Sequence, residues 1–172
     1  MLVPEDGARI TLGTRELELI HTPGHALHHY CVVDLAHELI FSGDTFGISY
    51  RDFDVDGREF VLPTTTPVHF DPEALCHSVD RLMSYQPKAI YLTHYAEVRD
   101  LARLARQMKE RVRAFADLGR RYADAPDRAI KLRKGMYAML CGWLDEHGFA
   151  GDDAKRHYLL DDDVELNSQG IE

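Results

Sequence analysis

Two histidines and one aspartate stand at positions where strands are expected to end. They are His25 after Thr22-Pro23-Gly24, Asp44 after Leu39-Ile40-Phe41-Ser42-Gly43, and His94 after Ala89-Ile90-Tyr91-Leu92-Thr93. Because α/β proteins collect their sites at the carboxyl ends of strands, we expect these side chains to lie close together. Imidazole plus carboxylate is the ligand set expected for zinc, with iron or manganese possible. Each residue alone is more often a hydrogen-bonding loop residue than a ligand, so spacing by itself leaves both interpretations open.

The apolar pattern around these residues predicts an α/β order of elements. Gly43 to Phe70 lacks a clean periodicity, which is typical of a long functional loop. Asp71-Pro72-Glu73 then supplies an N-cap and a proline at the first helical position, so a helix is predicted from there to about Gln86-Pro87. A buried strand from Ala89 to Leu92 follows. Before the loop, a β-meander is predicted from the strands Arg9 to Leu12, Glu16 to Ile20, His29 to Asp34 and Glu38 to Ser42.

From Asp100 onward the pattern changes to amphipathic helices. Two apolar stripes predict two helices, with breaks at Gly119 and at Asp124-Ala125-Pro126 and an end at Gly148. Val164 to Asn167 begin a further helix-like pattern that has no closing signal. We therefore predict one domain over residues 1–125 and a helical extension over 126–172, truncated at its end and able to cover the site as a lid.

Composition limits the partners of the protein. The 172 residues carry 20 Lys and Arg against 29 Asp and Glu, a formal net charge of −9, which argues against nucleic acid as a partner. No stretch approaches the length of a membrane span and no secretion signal is evident at the start, so we expect a cytoplasmic protein with no membrane partner. Cys31, Cys76 and Cys141 are far apart and odd in number, which indicates reduced core cysteines.

Three motifs in order resemble the third, fourth and fifth motifs of the metallo-β-lactamase superfamily of metallo-hydrolases. They are His21-Thr22-Pro23-Gly24-His25-Ala26, Phe41-Ser42-Gly43-Asp44-Thr45-Phe46 and Leu92-Thr93-His94-Tyr95. Within the superfamily the sequence is most similar to the glyoxalase II-like bacterial hydrolases, on Thr22 to His29, Pro63 to Pro67 and Phe70 to Glu73. The resemblance implies an α/β fold, half of an αββα sandwich with a C-terminal helical extension.

The resemblance also implies roles for the three candidate ligands. His25 corresponds to a histidine of the first metal site, His94 to one of the second, and Asp44 to the carboxylate that bridges the two metals and is the catalytic residue of this chain. Two zinc ions per site are implied, with iron or manganese possible. A shared water then becomes hydroxide near neutral pH and attacks an ester, thioester or lactone-type bond of a small-molecule substrate.

Other polar residues near the motifs have supporting roles in this interpretation. His21 and His29 are expected to orient ligands through hydrogen bonds or to serve in packing, rather than to bind metal themselves. Tyr50, Arg51 and His69 lie in the long loop and are candidates for substrate contact.

The first signature of the superfamily, H-x-H-x-D-H, does not occur in the sequence. We expect it in a missing N-terminal half, because the chain begins almost where the second half of the fold begins. Half a sandwich would expose an apolar sheet face, which predicts a homo-oligomer or a need for the other half. An incomplete, non-catalytic module acting in binding or assembly is the alternative to a hydrolase, and the chain alone is expected to be inactive. A nuclease is the third possibility, against which the net charge counts.

Overall fold

A computed structural model describes residues 4–65, 69–94 and 96–172. Positions 66–68 of the predicted loop, and position 95 of the third motif, lie outside the described residues. Six strands form one sheet in chain order, β1 to β6. All neighbouring strands are antiparallel except β4 and β5, which are parallel. The strands are β1 (Ala8–Leu12), β2 (Arg15–His21), β3 (Tyr30–Asp34), β4 (Leu39–Phe41), β5 (Ala89–Tyr91) and β6 (Glu97–Val98).

The first four strands confirm the predicted meander. A two-residue turn joins β1 to β2, with Leu12 paired to Arg15 and Gly13 at a φ of +63°. A positive φ at the first turn residue matches the right-handed twist of the strands, and glycine adopts it without a steric penalty.

In the described ranges four α-helices follow the meander, and β5 and β6 lie between the first helix and the second. They are α1 (Pro72–Ser84), α2 (Leu101–Arg121), α3 (Arg128–His147) and α4 (Asp153–Gly170). The Asp71 side chain accepts hydrogen bonds from the backbone N–H groups of Glu73 and Ala74, so the predicted start of α1 is correct. Gly148 ends α3 in the left-handed conformation, as expected. None of the helices in the described ranges is long and apolar enough to cross a membrane.

Two helix predictions were wrong in their boundaries. α2 continues through Gly119, where the missing side chain leaves room for the residue that follows α4: a Cβ there would lie 3.0 Å from the Ile171 carbonyl oxygen. α4 begins at Asp153, eleven residues before Val164, with the Asp152 side chain accepting from the Lys155 N–H. Charged residues on most of its sides obscured the helical period of this segment.

The apolar residues form two cores. In the first, one face of the sheet packs against α1 and α2, through residues such as Ile20, Ile40, Ile90, Val79 and Met108. The second core joins the long loop to the helical extension. Its members include Ile48, Phe53, Phe60 and Leu62 of the loop, Phe115 of α2, and Leu132, Met136, Leu140, Leu160 and Val164 of α3 and α4. The loop is therefore held between the sheet domain and α3 and α4, rather than lying free on the surface.

The other face of the sheet carries one partly exposed apolar row. Leu19, Val32, Phe41 and Tyr91 occupy one row of cross-strand partners. The Phe41 and Tyr91 rings stack at 5.3 Å, and 41% of Phe41 remains exposed. Their neighbours along each strand point to the opposite, buried face, because side chains alternate along a strand. We call this row the open sheet face.

Candidate metal centre

His25 is presented by a turn packed closely against α1. Gly24 has a φ of +127°, and a Cβ at this position would lie 2.2 Å from the Leu75 backbone nitrogen. The Gly24 carbonyl accepts a hydrogen bond from the Asp71 N–H, which fixes the turn to the helix cap. The His25 Nδ1 lies 3.0 Å from the Thr64 carbonyl oxygen. A carbonyl can only accept, so Nδ1 carries the proton and the lone pair is on Nε2, as a metal ligand requires.

Asp44 lies between the two candidate histidines. Its Oδ2 is 3.6 Å from the His25 Nε2, and its Oδ1 is 3.3 Å from the His94 Nε2. The Oδ1 atom is buried and has no hydrogen-bond partner among the described residues. An unprotonated imidazole nitrogen facing a carboxylate oxygen places two lone pairs against each other, so a proton or a cation belongs between them.

Sheet topology explains why these three residues meet. β4 and β5 are parallel, so Asp44 and His94, which follow them, emerge at the same edge. His25 lies in the connection from β2 to β3, at this edge as well. The His25 side chain is 12% exposed and that of His94 is 51% exposed, so the site is enclosed on one side and open on the other.

The donors suit metal ions in type and direction but not in number. Within residues 4–65, 69–94 and 96–172, no group of three or more His, Cys, Asp or Glu side chains is arranged to hold a metal ion by itself. Each histidine faces a different oxygen of Asp44. This geometry fits a carboxylate shared by two cations better than three ligands around one cation, and further ligands would have to come from outside the described residues.

His29 holds the backbone of Asp44. The Asp44 N–H donates to the His29 Nε2 at 3.0 Å, and the His29 Nδ1 lies 2.9 Å and 3.0 Å from the hydroxyl oxygens of Thr22 and Thr45. Burial, with His25 nearby, lowers the pKa of His29 to about 4, so the ring is neutral near pH 7. Both ring nitrogens are thus occupied within the protein.

Comparison with known proteins identifies the fold to which these residues belong. A family model described as the metallo-beta-lactamase superfamily matches residues 2–94, which is more than half of the chain. The chain belongs to the metallo-beta-lactamase superfamily. The expected family is therefore confirmed, together with a mixed α/β fold of this type.

Several relatives of this superfamily member are much longer than the chain. The metallo-beta-lactamase fold-containing protein ST1585 of Sulfurisphaera tokodaii is 33% identical over 90 residues, covering 52% of this chain and 31% of the relative. The acyl-coenzyme A thioesterase MBLAC2 of Gallus gallus is 42% identical over 40 residues, 23% of this chain and 14% of the relative. The structure of the metallo-beta-lactamase family protein TTHA1429 from Thermus thermophilus has a TM-score of 0.55 at 20% identity, covering 72% of this chain and 38% of that one. The chain thus spans less than two fifths of the length of each of these relatives.

Two of the remaining candidates, His21 and His69, have other positions in this metallo-beta-lactamase domain than the lining of the pocket beside Asp44. The His21 Nε2 is 2.7 Å from the Leu27 carbonyl oxygen and its ring contacts Tyr30, so His21 stabilises the turn that carries His25. His69 is exposed, with a φ of +75°, and is not among the residues that line the pocket beside Asp44.

Tyr50, in contrast, lies beside the candidate metal ligands Asp44 and His94. It lines a pocket of about 150 Å³ beside Asp44 and His94. Two residues of α4, Asp163 and Leu166, complete this pocket. Asp163 was not predicted as a site residue, although the spacing of Leu160, Asp163, Val164 and Asn167 is that of a buried helix face.

Proposed function

We propose that this chain carries part of a binuclear metal centre in a metal-dependent hydrolase that cleaves an ester, thioester or lactone-type bond. The observation that carries the proposal is that the Nε2 atoms of His25 and His94 face the two different oxygens of Asp44. In the described part of the chain the buried Asp44 Oδ1 has no hydrogen-bond partner, which supports a cation between this oxygen and the His94 Nε2.

The geometry suggests which side chains would bind each cation. His25 would bind one cation, His94 the other, and Asp44 both, with zinc, iron or manganese all compatible with imidazole and carboxylate. Such cations, when bound, lower the pKa of a coordinated water and polarise the carbonyl of the substrate.

The side chains of this domain position the site. The Thr64 carbonyl fixes the orientation and the tautomer of His25. His29 holds the Asp44 backbone, which limits rotation of the carboxylate between the histidines. Tyr50, Ile48 and Thr64 line the space in which the reacting bond would lie.

Among the three bond types, the thioester has the most support. MBLAC2 of Gallus gallus and of Bos taurus are named as acyl-coenzyme A thioesterases, and this chain is 42% and 44% identical to them over 40 and 43 residues. These matches are short, so an acyl thioester is our proposed substrate class and not a consequence of family membership.

We further propose that the rest of the centre comes from the first half of the fold, as in the glyoxalase II-like arrangement. The open sheet face with Phe41 and Tyr91 is the surface this half would cover. Both the cytoplasmic location and the division at residue 125 stay predictions.

The experiment compares Asp44→Ala with Asp117→Ala in the full-length protein. Asp117 is exposed on α2 and pairs with Arg120, so its loss removes one carboxylate without touching the site. We expect Asp44→Ala to lose bound metal, by elemental analysis, and acyl-thioester hydrolysis, while Asp117→Ala keeps both. Retained turnover in Asp44→Ala would contradict the assignment.

A non-catalytic binding module is the second candidate, favoured by the absence of a three-ligand group in the described part of the chain. The two candidate functions predict different metal contents and activities for the wild-type protein. A full-length protein that purifies without metal, takes up none on addition of zinc, iron or manganese, and hydrolyses no acyl ester or thioester would support the module.

A further inference from the structure

The pocket beside Asp44 and His94 has one wall from a helix more than a hundred residues away in sequence. The Asp163 Oδ2 accepts a hydrogen bond of 2.8 Å from the Tyr50 hydroxyl, and 113 positions separate the two residues. Asp163 is only 6% exposed. The pocket is lined by Asp44, Ile48, Tyr50, Thr64, His94, Asp163 and Leu166.

Hydrogen bonds hold α4 against the long loop next to this wall, and they keep Asp163 at the pocket. One helical turn after Asp163, the Asn167 side chain accepts from the Thr65 N–H. Thr65 is in turn adjacent to Thr64, which lines the pocket and holds His25. Burial raises the pKa of Asp163, while the hydrogen bond that the Tyr50 hydroxyl donates acts in the opposite direction and favours the carboxylate.

The charges in the pocket are unequal. Two carboxylates, Asp44 and Asp163, line it, and no Lys or Arg is among the described residues of its lining. Asp44 faces the two histidines, which are the groups that would share cations with it. Asp163 lies at the Tyr50 side, where an incoming anion would meet a buried carboxylate with no Lys or Arg from the described lining beside it.

We propose that Asp163 is a specificity-determining residue, which admits substrates whose group next to the reacting bond is neutral and donates a hydrogen bond, such as an amide N–H or a hydroxyl. The same residue rejects a carboxylate or a phosphate at this position. Ile48 and Leu166 provide apolar contacts for the carbon atoms of that group. The inference rests on the proposed function, because it assigns the pocket to the substrate of the hydrolase.

The test measures binding and does not depend on turnover. Butyramide and butyrate are nearly isosteric, and only the second is an anion. In full-length protein loaded with zinc, the dissociation constant of each probe follows from NMR shifts of the Ile48 and Leu166 methyl groups. Any attraction of butyrate to zinc is common to all variants, so the quantity compared is the ratio of the two constants between variants.

Asp163→Asn keeps the shape of the side chain and an oxygen for the Tyr50 hydroxyl, and removes the charge. We expect it to shift the ratio about tenfold in favour of butyrate, as loss of one unit charge near the anion requires. Asp162→Asn is the matched control, since Asp162 is exposed on the same helix and screened by water, and its shift should be less than about twofold. Tyr50→Phe leaves the Asp163 carboxyl group in place and, measured at a pH well above the usual range of a carboxyl pKa, should keep the preference for butyramide.

Three outcomes would overturn the inference: equal shifts for Asp163→Asn and Asp162→Asn, loss of the preference for butyramide in Tyr50→Phe, or no response of the two methyl groups to either probe. Hydrolysis of an acyl thioester, measured on the same samples, distinguishes failure of the proposed function from failure of the proposed pocket selectivity. Absence of hydrolysis together with the expected shift in the ratio would contradict the proposed function and leave the pocket selectivity standing.

Discussion

Asn167 of α4 and Thr65 of the long loop are joined by hydrogen bonds across 102 positions of sequence. The Asn167 Oδ1 accepts from the Thr65 N–H, and the Thr65 hydroxyl lies 3.1 Å from the Asn167 carbonyl oxygen. Asn167 is 1% exposed. Since the adjacent Thr64 carbonyl accepts from His25, α4 stabilises a candidate metal ligand through two residues of the loop.

Replacing Asn167 by Ala should therefore weaken metal binding without touching a ligand. The variant leaves the buried Thr65 N–H without its Asn167 partner, at a cost of about 1–3 kcal/mol in the free energy of unfolding. We expect zinc affinity of the full-length protein to fall about tenfold, the lower end for loss of a residue that supports a ligand. Competition with a chromophoric chelator measures it. Gln169→Ala, an exposed position on the same helix, is the control, and an equal loss there would contradict the connection.

Gly24 and Gly142 should respond in opposite directions to alanine. Gly24→Ala places a Cβ against the Leu75 backbone at a φ of +127°, so we expect a loss of about 2 kcal/mol or more in unfolding free energy. Gly142 is within α3, and a Cβ added there would meet no described atom outside its own helix within 4 Å, so alanine should stabilise by about 0.8 kcal/mol. Urea unfolding followed by circular dichroism measures both. Stability unchanged in Gly24→Ala would mean that the turn adapts.

His147, at the end of α3, should make the stability of the protein depend on pH. Burial, and then the nearby Arg58, lower the pKa of His147, and Arg103 and Arg111 act in the same direction. The folded state therefore favours the neutral ring, while the unfolded chain takes up a proton near pH 6.5. Stability should fall as the pH drops from 6.5 towards the lowered pKa.

His147→Leu removes this titration, and its unfolding free energy should fall less between about pH 7 and pH 5 than that of the wild type. Denaturant unfolding at several pH values gives the comparison. His77→Gln, at an exposed position of α1, is the control and should follow the wild type. Parallel curves for wild type and His147→Leu would show that other groups determine the dependence.

Two copies of the isolated 172-residue chain should associate through their open sheet faces. Phe41 is 41% exposed in an apolar row of the sheet, so Phe41→Lys should shift sedimentation profiles towards monomer. Ile130 of α3, with 47% exposure, is not part of that row. Ile130→Lys should leave the profile unchanged, and an equal effect of the two substitutions would point to general solubility instead.

Local signals were sufficient to predict much of the fold. The alternation in β2 and β3 and the Asp71 cap of α1 act within a few residues, and they specified their elements correctly. β6 has only two residues, too few for a periodic pattern, and was not predicted. The start of α4 was missed because its buried residues begin only at Leu160, and three of the five, Asp163, Asn167 and Ser168, are polar.

The positions of the candidate ligands could be inferred from the motifs, but the wall opposite them could not. Asp163 reaches Tyr50 only because α3 and α4 share a core with Phe53 and Phe60 of the loop. Such long-range packing leaves no mark in local sequence beyond the spacing of a few buried residues. Thr64 acts through its backbone carbonyl, which carries no side-chain signal at all.

The second core can form only after the C-terminal helices have been synthesised. The hairpins of the meander and α1 use contacts close in sequence, whereas the Thr65–Asn167 contact closes a loop of 102 residues and forms late by that measure. During synthesis His25 and Asp44 leave the ribosome well before α4. We expect a nascent chain to hold these residues in an open, water-filled edge until α4 docks, so that the candidate centre matures only once translation has passed Gly170.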